Sequence, residues 1–426
     1  MQRRRNSIAA PAVDTISSLP DAILSRILSL LSIKEAVATS ILSKRWIHLW
    51  HFVDSIDFPD IIELNSIQST HIFNNFMDSV LVSREASGSH FINSFRLKIE
   101  YDNRSLLTFL GFPNVTKWVN LIVKPGLKYL CLDLDSYDDD YDSDDVIGQK
   151  PLLPISILSC RTLVSLDLAR FRVKGFTFSS VGFGFPSLNV LHFRDIVFQQ
   201  GRDFMLLLAG CPNLEYLRAE DIGFHYQRDS LTIQEYESLS LPKLISAVIT
   251  QCRCSCFPLK ALSNLEYLSV ETSMLRTKDH KVYGMDQLQC PLYDIPIFRN
   301  LTHLELHDRL ELVPQMLQHC PKLQKLELRQ ASFELCVEPD VLQYWVEPEV
   351  VPQCLSSHLR ICTIRDLLDF QIELMLIKYI LKNARNLQIM KMHYITDHPE
   401  IETELSTCPK ASATCQRLVT YRQCKL

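Results

Sequence analysis

At 426 residues, with 47% apolar and 22% charged residues, the chain exceeds one ordinary core and predicts two or three folded units. A formal net charge of -5 without a concentrated basic stripe argues against duplex DNA or RNA as the main ligand, because neutralising phosphates needs clustered Lys and Arg. The longest run without Asp, Glu, Lys or Arg, residues 175–193, is interrupted by Gly, Ser, Pro and Asn, and the opening MQRRRNSIAAPAV has no secretory core, so the expectation is a soluble intracellular protein, in the nucleus or cytoplasm, whose 14 cysteines are mostly buried, reduced small hydrophobes.

Residues 1–13 are expected to be disordered. Beyond them Leu19, Ile23, Ile27 and Leu31 recur at helical spacing, with Leu24 and Leu28 on the adjoining row. Pro20 fits the first turn, where its missing N–H costs nothing, and Asp21 complements the positive end of the helix dipole. Ser32 with Glu35 makes a capping box for a second helix through Val37, Ile41 and Leu42. Ser43 separates it from a third through Trp46, Leu49 and Trp50. A module of about forty residues cannot bury enough surface to be stable alone, so a partner or the rest of the chain must cover its apolar faces.

The ordered run Leu19-Pro20-Asp21, Lys34-Glu35-Ala36-Val37 and Leu42-Ser43-Lys44-Arg45-Trp46 resembles a plant-type F-box. The resemblance implies a three-helix F-box over residues 14–55 that binds a Skp-family linker protein and, through it, a cullin. It maps the linker contacts onto Leu19, Pro20, Ile23, Leu24, Ile27, Leu28 and Trp46. Ser32 and Ile33 depart from the Pro-Thr pair often found between the first two helices.

From residue 127 a six-residue pattern, Leu-x-x-apolar-x-apolar, recurs ten times, beginning at Leu127, Leu163, Leu188, Leu214, Leu244, Leu265, Leu301, Leu323, Leu359 and Leu387. Its spacing averages about 29 residues, the upper end of the range for leucine-rich repeats. Turn signals such as Cys211-Pro212-Asn213, Leu241-Pro242-Lys243 and Cys320-Pro321-Lys322 precede many units, so each strand should start just after a loop or helix end. Stacked strands would send their apolar residues into one core and the alternate residues to the concave face of an irregular solenoid over residues 56–340. That face would carry Tyr129, Asp133, Asp167, His192, Arg194, Tyr216, Arg218, Tyr267, His303, Glu305 and Arg329, a mixed set rich in the Tyr and Arg found at interface hot spots.

The segments EVVPQCLSSHLRICTI and IELMLIKYILKNARNLQIMKMH, preceded by Tyr344-Trp345, resemble the FBD region of plant F-box proteins, placed here at residues 341–393. Helical spacing through Leu374, Ile377, Leu381 and Ala384, then a strand from Leu387, reads as one more modified repeat that caps the array, and residues 394–426 would close it. The tail STCPKASATC also fits that family, with Lys410 where Arg is usual and no Gly around residues 368–371.

Other signals are weaker. Asp133 to Val146 is acidic but lacks the spaced oxygens, Gly turn and closing Glu of a calcium loop, so it reads as an exposed loop. Cys252, Cys254 and Cys256 lack a second ligand pair for zinc, although His280 or Cys290 could be recruited by folding. There is no phosphate-binding glycine loop, nucleophile elbow or zinc-protease helix.

The sequence therefore predicts an α/β protein, a three-helix F-box followed by a leucine-rich-repeat solenoid with an FBD cap, acting without catalytic residues, metal or cofactor as the substrate-recognition adaptor of a Skp–cullin–F-box ubiquitin ligase. The alternative is an F-box scaffold that binds the linker and a partner without cullin or ubiquitination. A small-molecule enzyme is the least supported class, and no feature identifies the target protein.

Overall fold

In a computed structural model, the structure describes residues 16, 18–89, 91–101, 115–136, 150–174, 184–225, 239–252, 258–271, 295–307, 310, 313–329, 347–367, 371–395, 404–405 and 407–421. The chain is mixed α/β and divides into two compact units, Met1–Asp138 and Asp139–Leu426. None of the described helices is long and apolar enough to cross a membrane.

The first unit opens with helices α1 (Asp21–Leu28), α2 (Ile33–Ala38) and α3 (Trp46–Leu49). Strands β1 (Ser55–Asp57) and β2 (Ile62–Leu64), the long helix α4 (Ile67–Ala86), strand β3 (Ser94–Tyr101), helix α5 (Val115–Ile122) and strand β4 (Tyr129–Ser136) follow. β3 pairs in parallel with β1, β2 and β4 and buries Phe95, Leu97 and Ile99 on alternate positions, as a strand with one core face must. Helices α4 and α5 meet where Trp118 stacks edge-on against Phe73 at 6.1 Å and donates its indole N–H to Asp78 at 2.8 Å. Burial alone would raise the Asp78 pKa, but the Lys117 and Trp118 hydrogen bonds outweigh it and hold the carboxyl below its usual range.

The rest of the first unit covers the helical module from behind. His51 Nε2 lies 2.8 Å from the Ser83 hydroxyl of α4, and Leu24, Leu28, Leu49 and Trp50 are buried. Helix α2 is shorter than the periodicity predicts, tightening to a 3-10 turn over Thr39–Ile41. There the Thr39 hydroxyl donates to the Ala36 carbonyl at 2.7 Å and competes with the α-helical bond. After α3 the chain likewise tightens over Trp50–Phe52.

The second unit contains α6 (Ile155–Leu158), β5 (Ser165–Ala169), β6 (Arg172–Val173), β7 (Val190–Phe198), α7 (Gly201–Ala209), β8 (Tyr216–Phe224), β9 (Ser246–Cys252) and β10 (Tyr267–Glu271). It continues through β11 (His303–His307), α8 (Val313–Gln318), β12 (Lys325–Arg329), α9 (Gln353–Ser357), β13 (Ile361–Leu367), α10 (Gln371–Asn383), β14 (Ile389–Tyr394) and β15 (Gln416–Tyr421). From β7 to β15 every strand pairs in parallel with the next in sequence, and β5 and β6 both pair with β7.

Each of the ten repeat leucines stands two residues before a strand, and all ten are buried. The reason is a recurring turn. The N–H groups of Leu188, Leu214, Leu244, Leu265, Leu301, Leu323 and Leu387 donate to the carbonyls of Phe185, Cys211, Leu241, Leu262, Phe298, Cys320 and Ala384, three residues earlier. Pro186, Pro212, Pro242 and Pro321 occupy the second turn position, where a fixed φ is pre-set for the bend. Asn213 and Asn386 then donate to the Pro186 and Ser357 carbonyls of the preceding repeats, both at 2.6 Å, stitching turn to turn. Register brings Leu191, Leu217, Ala247, Leu268, Leu304, Leu326, Cys362 and Met390 into one buried row.

Five of the described strands, β1, β2, β3, β6 and β15, escape the repeat pattern. At β3 Ile92 stands where the leading Leu belongs, so relaxing that position to any branched aliphatic would have found it. β15 has no apolar signature, because it covers β14 at the end of the sheet and its own residues are largely exposed. Its approach is fixed by the STCPKASATC tail, in which Ser412 is buried and donates to the Leu387 carbonyl at 2.7 Å.

Seven of the nine described cysteines are buried, and burial pushes the Cys211 and Cys354 thiols up to about 12. Among the described residues no group of three His, Cys, Asp or Glu side chains is placed to hold a metal. Residues 1–13, residues 137–146 of the acidic run, Cys254, Cys256, His280, Cys290, Tyr344, Trp345 and residues 368–370 lie outside the described residues.

Candidate functional site

Helix α1 carries two apolar stripes. Leu24 and Leu28 face inward and are 0% exposed, whereas Ile23 and Ile27, one position earlier in each turn, are 46% and 39% exposed. Leu30 continues the outer stripe at i+3 and is 83% exposed. A helix in a free-standing domain needs one apolar stripe; a second, solvated stripe has a use only when something else covers it.

The same module also exposes Ile41, at 88%, and Leu42 and Phe52. The two ends of the F-box motif are tied together by Arg45. Its Nε donates to Asp21 Oδ1 at 2.8 Å and its Nη2 to the Leu19 carbonyl at 2.5 Å, which fixes Leu19-Pro20 against the Ser-Lys-Arg-Trp segment. Pro20 caps α1 with extended backbone, immediately before the first helical residue. At the start of α2 the predicted Ser32–Glu35 capping box is formed, and the hydrogen bonds from the Ser32 hydroxyl and N–H hold the Glu35 carboxyl below its usual pKa.

Of the residues expected to contact a linker, Pro20, Ile23 and Ile27 are exposed and Leu19 is half-buried. Leu24, Leu28 and Trp46 are buried inside the first unit. The exposed Leu30, Ile41 and Phe52 are absent from the expected set. The legible signal for Leu30 was the doubled stripe itself, i, i+4, i+7 from Ile23 beside i, i+4 from Leu24.

The predicted target-binding residues fall on the non-core positions of the strands. Tyr129 is exposed on β4 of the first unit, where Asp133 is buried, contrary to expectation. The remainder lie in the second unit, and register pairs Asp167 with His192, His192 with Arg218, Arg194 with Glu220, and Tyr267 with His303. Tyr267, His303 and Glu305 form one cluster: the Tyr267 hydroxyl donates to Glu305 at 2.9 Å and its ring meets His303 edge-on at 4.7 Å. Burial first, then the Glu305 carboxylate, pushes Tyr267 up to about 12. Burial lowers the His303 pKa, and its Nε2 lies 3.5 Å from Glu327. Burial would raise Glu327, but the Lys325 hydrogen bond and the charges of Lys325, His303 and Arg365 win and lower it.

Elsewhere on these strands Arg218 is held by Glu220 at 2.7 Å, Tyr216 and Arg194 are exposed, and Arg329 reaches Asp366 at 3.5 Å. Ser269 Oγ lies 3.2 Å from His307 Nε2, and the same nitrogen lies 3.5 Å from Glu305, so the three groups are not arranged as a nucleophile, a base and an acid that orients the base from its other nitrogen. The charges of these clusters are largely paired among themselves.

Comparison with known proteins follows the same division. A model of the F-box domain matches residues 16–56, a model of the leucine-rich repeats of an FBD-associated F-box protein matches residues 115–291, and an FBD model matches residues 347–392. An FBD-associated F-box protein of Arabidopsis thaliana is 26% identical over 447 residues, covering 95% of this chain and 99% of the relative. An F-box/FBD/LRR-repeat protein of the same plant is 27% identical over 454 residues, covering 95% and 93%. An F-box/LRR-repeat protein is 29% identical over 365 residues, covering 74% and 91%. The chain carries an F-box, a leucine-rich-repeat region and an FBD domain in that order, and its homologues are F-box/FBD/LRR-repeat proteins of Arabidopsis thaliana.

Proposed function

We propose that this protein is the substrate-recognition adaptor of a Skp–cullin–F-box ubiquitin ligase. F-box domains typically bind Skp1-like proteins, and F-box proteins with leucine-rich repeats are generally adaptors rather than enzymes. The observation that carries the reading is the solvated apolar stripe of Ile23, Ile27 and Leu30 with Ile41 and Leu42 on a module already packed from behind. In this reading Leu19, Pro20, Ile23 and Ile27 meet the linker, and the non-core strand positions of the repeats, from Asp167 to Arg329, hold a target protein. Residues 14–55 act as the docking module, residues 56–340 as the recognition array and residues 341–393 as its cap.

The contribution to chemistry is proximity. A target held on the repeats while the F-box is held on the ligase meets the ubiquitin-loaded enzyme at a raised effective concentration, without a catalytic group in this chain. The test is co-purification of wild type and a Leu19→Ala/Pro20→Ala variant with linker and cullin. Recovery of both partners by wild type and neither by the variant supports the adaptor. Recovery of linker without cullin replaces it by a scaffold, and recovery of neither removes the docking assignment.

A further inference from the structure

The sheet of the second unit ends on an open edge. β15 is last in the strand order, and no described strand lies on its outer side. Pairing with β14 decides which backbone groups that edge presents. Gln416 lies opposite Ile389 and its N–H donates to the Gln388 carbonyl at 2.8 Å, so Gln416, Leu418 and Thr420 turn their N–H and C=O groups towards β14. Arg417, Val419 and Tyr421 turn theirs outward.

The core is unfinished at the same place. A buried row running through Leu306, Leu328, Ile364 and Met392 arrives at Val419, which is only half-buried. Beside it Leu418 is 46% exposed and Tyr421 37%. A strand that ends a repeat array ordinarily carries a polar outer surface, and free edges are ordinarily blunted by Pro, Lys, a bulge or a very short strand. β15 has six residues, no Pro or Lys, an unbroken register with β14 and one charge, Arg417. Arg417 donates to the Leu405 carbonyl and Ser412 to the Leu387 carbonyl, so the strand is anchored while its edge stays open.

We propose that a second copy of this chain covers this edge, with β15 pairing antiparallel to its own counterpart about a two-fold axis at Val419. An axis perpendicular to the sheet keeps core side beside core side, and a symmetric pair of this kind needs one residue that opposes itself. With Val419 in that place, Arg417 of each copy opposes Tyr421 of the other, and Leu418 opposes Thr420. All the outward-facing residues then stand in narrow pairs that exchange two hydrogen bonds each, and no like charges meet. Centring on Leu418 instead would set Tyr421 beyond the end of the other strand. The seam also continues the unfinished row, because Val419 meets Val419. A single strand pair buries less than the roughly 1,200–2,000 Å² of a standard interface, so the dimer is expected to dissociate in the micromolar range. The proposal does not rest on the adaptor reading.

The test is sedimentation velocity of the full chain from about 1 to 100 μM, over which wild type is expected to pass from one chain to two. Val419→Pro removes one outward N–H and none of the bonds to β14, so it is expected to weaken the dimer at least about tenfold and leave the melting temperature of the monomer unchanged. Val419→Cys sets two thiols opposite each other at the roughly 5.5 Å Cα separation of a hydrogen-bonded pair, within the span of a disulfide. With diamide taking up the two thiol hydrogens, Val419→Cys is expected to give a covalent dimer on non-reducing gels well before Leu418→Cys, which opposes Thr420, or wild type.

A wild type that stays a single chain at the highest concentration overturns the second copy as occupant and leaves the edge to a foreign strand. A dimer that Val419→Pro does not weaken overturns the seam. Equal cross-linking of the two cysteine variants overturns the register centred on Val419.

Discussion

The guanidinium of Arg84 donates to the Trp50 carbonyl at 3.2 Å, and through its other terminal nitrogen to the Phe91 carbonyl at the same distance. Arg84 is 1% exposed, and burial lowers its pKa to about 10, so it remains charged at neutral pH. It clamps the end of the F-box to α4. Arg84→Ala leaves two buried carbonyls without their charged donor and is expected to destabilise the first unit by about 3 kcal/mol. Urea unfolding monitored by tryptophan fluorescence would read this as a lower midpoint.

The buried row and the face beside it should respond in opposite ways. Leu268 is 0% exposed in the row that runs from Leu191 to Met390, so Leu268→Ala is expected to cost about 2–5 kcal/mol. Tyr216, exposed at a non-core position of β8, is expected to cost under about 1 kcal/mol when changed to Ala. Thermal unfolding of the two variants side by side measures the difference.

The stitched turns carry a smaller load. Asn213 bonds the Pro186 carbonyl through Nδ2 and accepts from Lys243 through Oδ1, each at 2.6 Å. Asn213→Ala is expected to destabilise the second unit by about 1 kcal/mol, and hydrogen exchange should quicken around Leu188 and Leu214.

Burial lowers the pKa of His51, His303 and His393 below the ordinary 6.5. In each case the unfolded chain binds the proton more readily than the folded one. Their contribution to stability is therefore complete above pH about 6.5 and is lost as pH falls through the depressed folded values. A melting series from pH 7.5 to 5 should show this decline, and His51→Gln should flatten the part belonging to the first unit.

Most of the second unit was legible because its physics repeats. A leucine buried at a turn, then apolar residues at every second position, is a local pattern, and its nine instances in this unit, like Leu127 in the first, stand where the pattern predicts. β15 was illegible because an end strand buries little of its own, and its open edge was illegible because the last place in a sheet is set by pairing that no single strand's sequence contains. On the F-box the periodicity gave the helix, but choosing Leu24 and Leu28 over Leu30 and Ile41 as surface required knowing which stripe the rest of the unit covers.

The most direct measurement is the affinity of the purified full chain for a purified Skp-family linker, with an Ile23→Asp/Ile27→Asp variant beside it. Each side chain buried on docking contributes about 1.5–3 kcal/mol, so the variant should bind at least about a hundredfold more weakly while its circular dichroism and melting temperature stay those of wild type. Unchanged affinity in the variant, or no binding by wild type, would contradict the assignment of this stripe as the docking surface.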